Sequence, residues 1–306
     1  MWPIIEAGFS SAARHRVALW RAKKDENGTR LSAIRHNVAV LKNDDLTVPA
    51  QQYGSQELFV LGSGPSVLGL TGAQFNRMRS GTTIGLNAWV LHDFIPDAYS
   101  FEEIENDDYI PVARAFSQAI ARPEVRSACP LVLHLRPKPE TPAARLFTFP
   151  DEILPRTRFY GRVSVETRLV RNLERDLTAL LLAHKVGALA PQVLLDSGLS
   201  VARMVSLGIL RDFKSIILIG IDLNSLSYFY EEDPRYLERR RLDYFDAWLG
   251  RTNFHATEER NNRAFVASEF LPALARASEA VNGPRIFVGS FPSKLEESLP
   301  LFDWTS

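Results

Sequence analysis

Directly after the apolar run Glu57-Leu58-Phe59-Val60-Leu61 stands a glycine-bracketed loop, Gly62-Ser63-Gly64-Pro65-Ser66, and Val67 to Met78 beyond it has helical spacing. A loop between the carboxyl end of a first strand and the mouth of a helix turns backbone N–H groups and a helix dipole onto one point, where a phosphate can be held. The dinucleotide fingerprint is incomplete, because Val67 stands where its third glycine belongs and the next strand ends on Asn87 rather than on an acid. That argues against a nicotinamide dehydrogenase. A tight turn with Ser66 capping a helix is the plainer alternative.

A second chemistry-bearing residue is His255, in Thr252-Asn253-Phe254-His255 just ahead of a helical stretch. Imidazole titrates near neutrality and can take a proton from a hydroxyl, so His255 is the candidate general base; an exposed or structural histidine is the alternative. His92, His134 and His184 lie in segments that read as helix or strand and are assigned to structure. Ser197, in Asp196-Ser197-Gly198, has no Gly-x-Ser-x-Gly elbow around it, which leaves a serine hydrolase with little support. No Asp-x-Asp triplet occurs, and the acidic pairs Glu231-Glu232 and Asp107-Asp108 read as solvated loop rather than as a magnesium site.

The 306 residues suffice for one large domain, or one domain with a smaller lid. Lys+Arg and Asp+Glu balance at 36 each, which argues against a dedicated nucleic-acid binder. Locally the balance fails: Arg14, Arg16, Arg21, Lys23, Lys24, Arg30 and Arg35 are opposed only by Asp25 and Glu26. A solvated helix face is the bland account of that cluster and contact with an anionic membrane surface the sharper one. Cys129 is the only cysteine, so neither an intrachain disulfide nor a cysteine metal cage can form. No apolar run approaches the length of a membrane span, and the expected location is cytoplasmic, at most peripheral on a membrane.

The elements that must position these residues alternate. Residues 1–55 predict a helical arm, with an amphipathic stretch from Ala12 to Arg21 and no strand signal. Strands are predicted at 57–61, at Thr82-Thr83-Ile84-Gly85-Leu86, at Asp97–Phe101, at Leu131–Leu135, at Ser215–Gly220 and at Arg285–Val288. The continuous apolar run at Ser215–Gly220 suits a parallel sheet covered on both faces. Helices are predicted over Val165–Lys185, Ser200–Leu210 and Asn262–Ala280, and Pro137 to Pro155 reads as a loop. The pattern is that of a single doubly wound, Rossmann-like α/β sheet occupying residues 56–306.

Four short segments then stand in a fixed order: Gly62-Ser63-Gly64-Pro65-Ser66, Gly85-Leu86-Asn87, Asp196-Ser197-Gly198 and Gly220-Ile221-Asp222, followed by His255. This order resembles the bacterial sialyltransferases of glycosyltransferase family 42, over roughly residues 57 to 300. The resemblance implies a GT-A-like sialyltransferase variant of the Rossmann sheet with a helical lid at about 226–254. It implies that Gly62, Ser63, Gly64, Pro65 and Ser66 hold the donor phosphate, with Asn87 near phosphate and sugar. Ser197 and Gly198 would grip the sugar carboxylate, and Asp222, Asn224 and Glu102 would line the donor site. Tyr230 matches the second of two family tyrosines that hydrogen-bond the departing phosphate. Asn224 stands in the place of the first, and Tyr228 compensates if the loop shifts. Ser63 replaces the family's loop asparagine, Asp196 its threonine, and Glu102 an asparagine, so the donor sugar is the least fixed of these implications. A second group, the motility-accessory proteins linked to flagellin glycosylation, is similar at the glycine-proline-serine loop and at Ser200-Val201, but has glutamine where this chain has Ile221.

The resemblance implies transfer from a cytidine-monophosphate sugar to a glycan hydroxyl, with no metal and no cofactor beyond that co-substrate. A monophosphate leaving group carries less charge than a diphosphate, so hydroxyl and backbone donors suffice to cap it. A nucleotide-sugar donor and a glycan acceptor are the expected partners; a homo-oligomer is compatible, nucleic acid is not expected. Two alternatives stay open: a transferase using another nucleotide sugar, and a non-catalytic nucleotide- or glycan-binding module on the same fold.

Overall fold

The structure is a computed structural model that describes residues 11–36, 38–42, 45, 56–101, 116, 118–128, 130–135, 153–165, 167, 169–225, 227–236, 258 and 265–305. The described residues begin with α1 (Ser11–His36) and the two-residue β1 (Ala39–Val40). β2 (Glu57–Leu61) leads through a 3-10 turn at Pro65–Gly69 into α2 (Gly72–Met78), then β3 (Thr82–Leu86) and a second 3-10 turn at Asn87–Leu91. β4 (Ala98–Phe101), α3 (Pro123–Ala128), β5 (Leu131–Leu135) and β6 (Thr157–Ser164) follow. The remainder runs α4 (Val170–Lys185), β7 (Val193–Asp196), α5 (Ser200–Leu210), β8 (Ser215–Ile219), α6 (Phe229–Glu232), α7 (Ala267–Ala280) and β9 (Arg285–Val288).

Every strand pairing is parallel among the described residues, in the order β1-β6-β5-β4-β3-β2-β8-β9, with β7 added to β6. The chain therefore lays down β2 to β6 in one direction and then returns to place β8 and β9 on the other side of β2. This reversal makes β2 and β8 the switch point, where α/β sheets receive their ligands beyond the carboxyl ends of the strands.

Alternate residues of the central strands feed two separate cores, as a strand's two-residue repeat requires. Leu58 and Val60 of β2 and Ile216 and Leu218 of β8 join the core under α4, α5 and α7. Phe59, Leu61, Ile217 and Ile219 point the other way, into an aromatic core with Trp89, Phe94, Phe229 and Phe302. All eight are at most 1% exposed, so both faces are covered and neither could tolerate a polar side chain.

Several elements differ from expectation. The helix predicted from Val67 to Met78 is interrupted, because Leu70 is extended and Thr71 caps a new helix: Thr71 Oγ1 accepts from Gln74 N–H while the Gln74 side chain accepts from Thr71 N–H. The helix predicted from Val165 starts at Val170, and the one predicted from Asn262 is described from Ala267. β1, β6 and β7 carry no strong sequence signal, yet β6 pairs with three other strands.

α1 lies on β6 through small residues: Ala18, Ala22 and Ala33 are buried, as are Glu26, Thr29 and Ser32. Gly161 of β6 makes this approach possible, since a Cβ there would stand 2.4 Å from Asp25 Oδ2 and 2.7 Å from Thr29 Oγ1. Asp25 Oδ2 accepts the Arg162 N–H at 2.5 Å, fixing the helix to the strand backbone.

Candidate functional site

At the switch point the loops after β2 and β8 are in direct contact. Gly62 N–H donates to Ile219 O at 2.7 Å and Gly64 N–H to Gly220 O at 2.8 Å. Glycine is required on both sides: Gly220 has φ +63°, and a Cβ there would lie 2.5 Å from Gly62 O. A Cβ at Gly62 would in turn meet Gly220 O at 2.6 Å. The bracketing glycines of the sequence motif thus serve close approach between two turns.

The carboxylate of Asp222, 2% exposed, occupies the mouth of the first loop. Its Oδ2 accepts Ser66 N–H at 2.9 Å, and its Oδ1 accepts the Ser66 hydroxyl. Ser66 Oγ also lies 2.8 Å from Ser290 Oγ, which accepts Gly220 N–H at 2.7 Å, so the ends of β2, β8 and β9 share one hydrogen-bonded cluster. Gly64 is held against the same carboxylate, where a Cβ would come within 2.3 Å of Oδ2. The amides of Gly62, Gly64 and Ser66 are therefore committed internally, Pro65 has none, and a five-residue 3-10 turn replaces the long helix whose dipole was expected there. Among the described residues the N–H and hydroxyl of Ser63 make no hydrogen bond, and they are the neutral donors of this loop.

The segment after β8 folds back over this loop. Leu223 takes a left-handed φ of +64°, Asn224 is exposed, and Phe229 N–H donates to Ser63 O at 3.0 Å. Tyr228 and Tyr230 flank Phe229 with their rings stacked, centroids 5.3 Å apart and planes 7° from parallel. Burial, reinforced by the neighbouring Glu231 carboxylate, raises the Tyr228 pKa above its ordinary value, so its hydroxyl stays protonated and able to donate. Phe229 anchors the segment in an aromatic cluster with Trp89 at 5.9 Å, His92 at 5.3 Å and Tyr236 at 5.1 Å. His92 is structural: buried, it stacks on Trp89 at 4.5 Å and its Nδ1 accepts Phe94 N–H. The same cluster ties in the end of β3, where Asn87 has φ +47°, is exposed, and starts the turn that carries Trp89.

β7 ends in a different arrangement. Asp196, 2% exposed, accepts Arg203 Nη1 at 2.7 Å, Arg162 Nη1 at 3.2 Å and Gly198 N–H at 2.9 Å. Burial alone would raise its pKa, but the charges of Arg203 and Arg162 hold it below the usual carboxylate range. Gly198, at φ +80°, makes the turn into α5, and Ser197 Oγ is shut off from solvent without a hydrogen-bond partner in the structure. Buried hydroxyls ordinarily have a partner, so Ser197 Oγ is the unsatisfied group of this turn, and a ligand reaches it only if the turn opens. α5 runs from this turn back against β4, β3 and β2.

The structure thus joins Gly62, Ser63, Gly64, Pro65, Ser66, Asp222, Tyr228 and Tyr230 into one contact group, with Asn87 attached through Trp89 and Phe229. Ser197 and Gly198 belong to a second group on the same carboxyl side of the sheet, built around Asp196 and Arg203. His255, Glu102 and most of the 226–254 segment lie outside the described residues. Sequence reasoning missed Arg203 and Ser290, both buried and polar; an arginine as the one charged residue of the helix Ser200–Leu210 was the available signal for the first. Among the described residues no three His, Cys, Asp or Glu side chains gather as a metal-holding group.

No family model matches the chain, and no curated protein matches it. Among solved structures it is similar to the monofunctional α-2,3-sialyltransferase Cst-I from Campylobacter jejuni, with a TM-score of 0.46 and 15% identity, covering 82% of each chain. It is also similar to a variant of the sialyltransferase Cst-II in complex with CMP, with a TM-score of 0.43 and 14% identity, covering 80% of this chain and 85% of that one.

Proposed function

We propose that this chain is a metal-independent glycosyltransferase that moves sialic acid or a related nonulosonate from a CMP-sugar to a hydroxyl of a cell-surface glycan. The observation that carries the reading is the set of neutral donors at the switch point: the N–H and hydroxyl of Ser63, Asn87 at the next strand end, and the stacked Tyr228 and Tyr230 held to the Ser63 carbonyl through the Phe229 N–H. The order of the four sequence segments supports it independently.

In this reading the anomeric C–O bond breaks toward the phosphate, which leaves with CMP, while the acceptor oxygen bonds to the anomeric carbon. The tyrosine hydroxyls and the Ser63 amide donate to the departing phosphate, and His255 takes the acceptor's proton. Asp222 and Ser66 brace the loop rather than touch the donor. The sugar carboxylate is assigned to the Ser197 hydroxyl and the Gly198 turn, where Arg203 and Arg162 add positive charge.

A thermal-shift panel of nucleotides, followed by a transfer assay with and without chelator, tests the reading. CMP is expected to stabilise most, and transfer to survive chelation but vanish in His255→Ala. Greater stabilisation by UDP or GDP overturns the donor assignment. Silence with chelator overturns the metal independence.

A further inference from the structure

α1 is built inside out. Its inner face against β6 holds Ala18, Ala22, Glu26, Thr29, Ser32 and Ala33, with Leu19 packed against the core, while three bulky apolar residues point to solvent: Trp20 is 64% exposed, Leu31 68% and Ile34 79%. Trp20, Lys24, Asn27, Leu31 and Ile34 follow one another at alternating spacings of four and three residues, which places them in one stripe along the helix. Burial among the described residues does not account for that stripe.

The charges flank it on both sides. Arg16, Lys23 and Arg30 recur along one edge, Arg21 and Arg35 along the other, and the Lys24 ammonium lies 5.8 Å from the centre of the Trp20 ring. The only two carboxylates of the helix turn inward: Asp25 onto the β6 backbone, and Glu26, 4% exposed, where it pairs with Lys23 and Arg30 at 2.7 and 2.8 Å. The outer face of α1 therefore carries an aromatic and aliphatic stripe between rows of cations and no acid.

We propose that α1 lies flat on an anionic lipid surface, with Trp20, Leu31 and Ile34 entering the interface and the flanking arginines and lysines meeting lipid phosphates. Apolar residues with a basic surround are what such a surface selects. A second copy of this chain fits poorly, because two such faces would bring cations against cations with no carboxylate between them. A nucleic acid would use the cations but leave the exposed Trp20, Leu31 and Ile34 without a role. No described helix is long and apolar enough to cross a membrane, so the contact is peripheral. The inference rests on α1 alone and not on the transferase reading.

Flotation of the full chain with vesicles of phosphatidylcholine, with and without phosphatidylglycerol, tests it. Binding is expected only to the anionic vesicles and is expected to weaken with salt. Each of Arg16→Gln, Lys24→Gln and Arg35→Gln should weaken it by roughly fivefold. Trp20→Ser combined with Leu31→Ser should abolish it, with an unchanged melting temperature showing that the fold is intact. Three results would overturn the proposal: equal binding to neutral vesicles, binding indifferent to Trp20→Ser with Leu31→Ser, or no vesicle binding together with a dimer that these substitutions dissociate. Donor binding is measured separately by calorimetry with CMP, so failure here leaves the catalytic reading standing, and the reverse also holds.

Discussion

Asp222 accepts both the amide and the hydroxyl of Ser66, a residue 156 positions earlier in the chain. A helix-opening serine that sequence alone assigns to a ligand's phosphate is thereby occupied by the protein's own carboxylate. Removing that carboxylate leaves the buried Ser66 amide unsatisfied and the Ser66 hydroxyl with Ser290 alone, and Asp222→Ala should cost about 1–3 kcal/mol of stability in denaturant unfolding, with Asp222→Asn costing less because an amide oxygen can still accept. Parent-like stability of Asp222→Ala would mean the cluster braces nothing.

The contact between the two glycine turns sets a second expectation. Gly220→Ala forces a Cβ into the Gly62 carbonyl at a left-handed φ, so it should destabilise by roughly 2 kcal/mol or more. Gly69→Ala is the control: open space surrounds that position, and its melting temperature should barely move.

At the end of β7, Arg203→Met leaves the Asp196 carboxylate buried with only the half-exposed Arg162, and a loss of about 3–5 kcal/mol is expected. Adding Asp196→Leu should recover much of that loss, since the uncompensated charge disappears; a double variant as unstable as the single one would refute the account. Because the folded-state pKa of Asp196 is depressed, its contribution is present above the ordinary carboxylate pKa and is lost as pH falls through the lower folded value.

His184 acts in a neighbouring window. Burial is the main cause that lowers its pKa from 6.5 to about 4, partly offset by the Val193 backbone and assisted by the Arg211 charge. The unfolded chain binds the proton more readily between those values, so the neutral imidazole stabilises the fold fully above pH 6.5 and progressively less down to pH 4. Unfolding at pH 7 and pH 5 should differ by about 1–2 kcal/mol from this group, and His184→Gln should flatten that slope.

The tyrosine pair separates packing from chemistry. Tyr230→Phe keeps the ring stacked on Tyr228 and removes one donor, so stability should hold while kcat for transfer falls by roughly 100-fold, the scale of one lost donor at a developing charge. A fall in stability with unchanged kcat would place Tyr230 in the core alone.

Much of the sheet was legible because its central strands are continuous apolar runs: 57–61, 82–86 and 215–219 were all recognised within a residue. β6 was not, because Arg158 and Arg162 interrupt its apolar residues and Gly161 lowers its strand propensity; the glycine is needed for α1, a contact between residues far apart in sequence. β7 has only four residues and merges with the turn at Ser197-Gly198. The motif residues were legible by type and order, but their bonding was not. Nothing local to Gly62-Ser63-Gly64-Pro65-Ser66 announces that Asp222 fills its mouth, whereas the freedom of Ser63 is evident once the partners of its neighbours are known.

The chain of contacts Gly220, Ser290, Ser66 and Asp222 rivets three adjacent strand ends into a fixed bank. The neighbouring Tyr228–Tyr236 stretch is held against that bank by ring packing around Phe229 and by the Phe229 N–H bond to Ser63 O, a looser attachment than three strand ends tied together. Entry and departure of a bulky ligand would therefore tilt aromatic rings while leaving the glycine turns still.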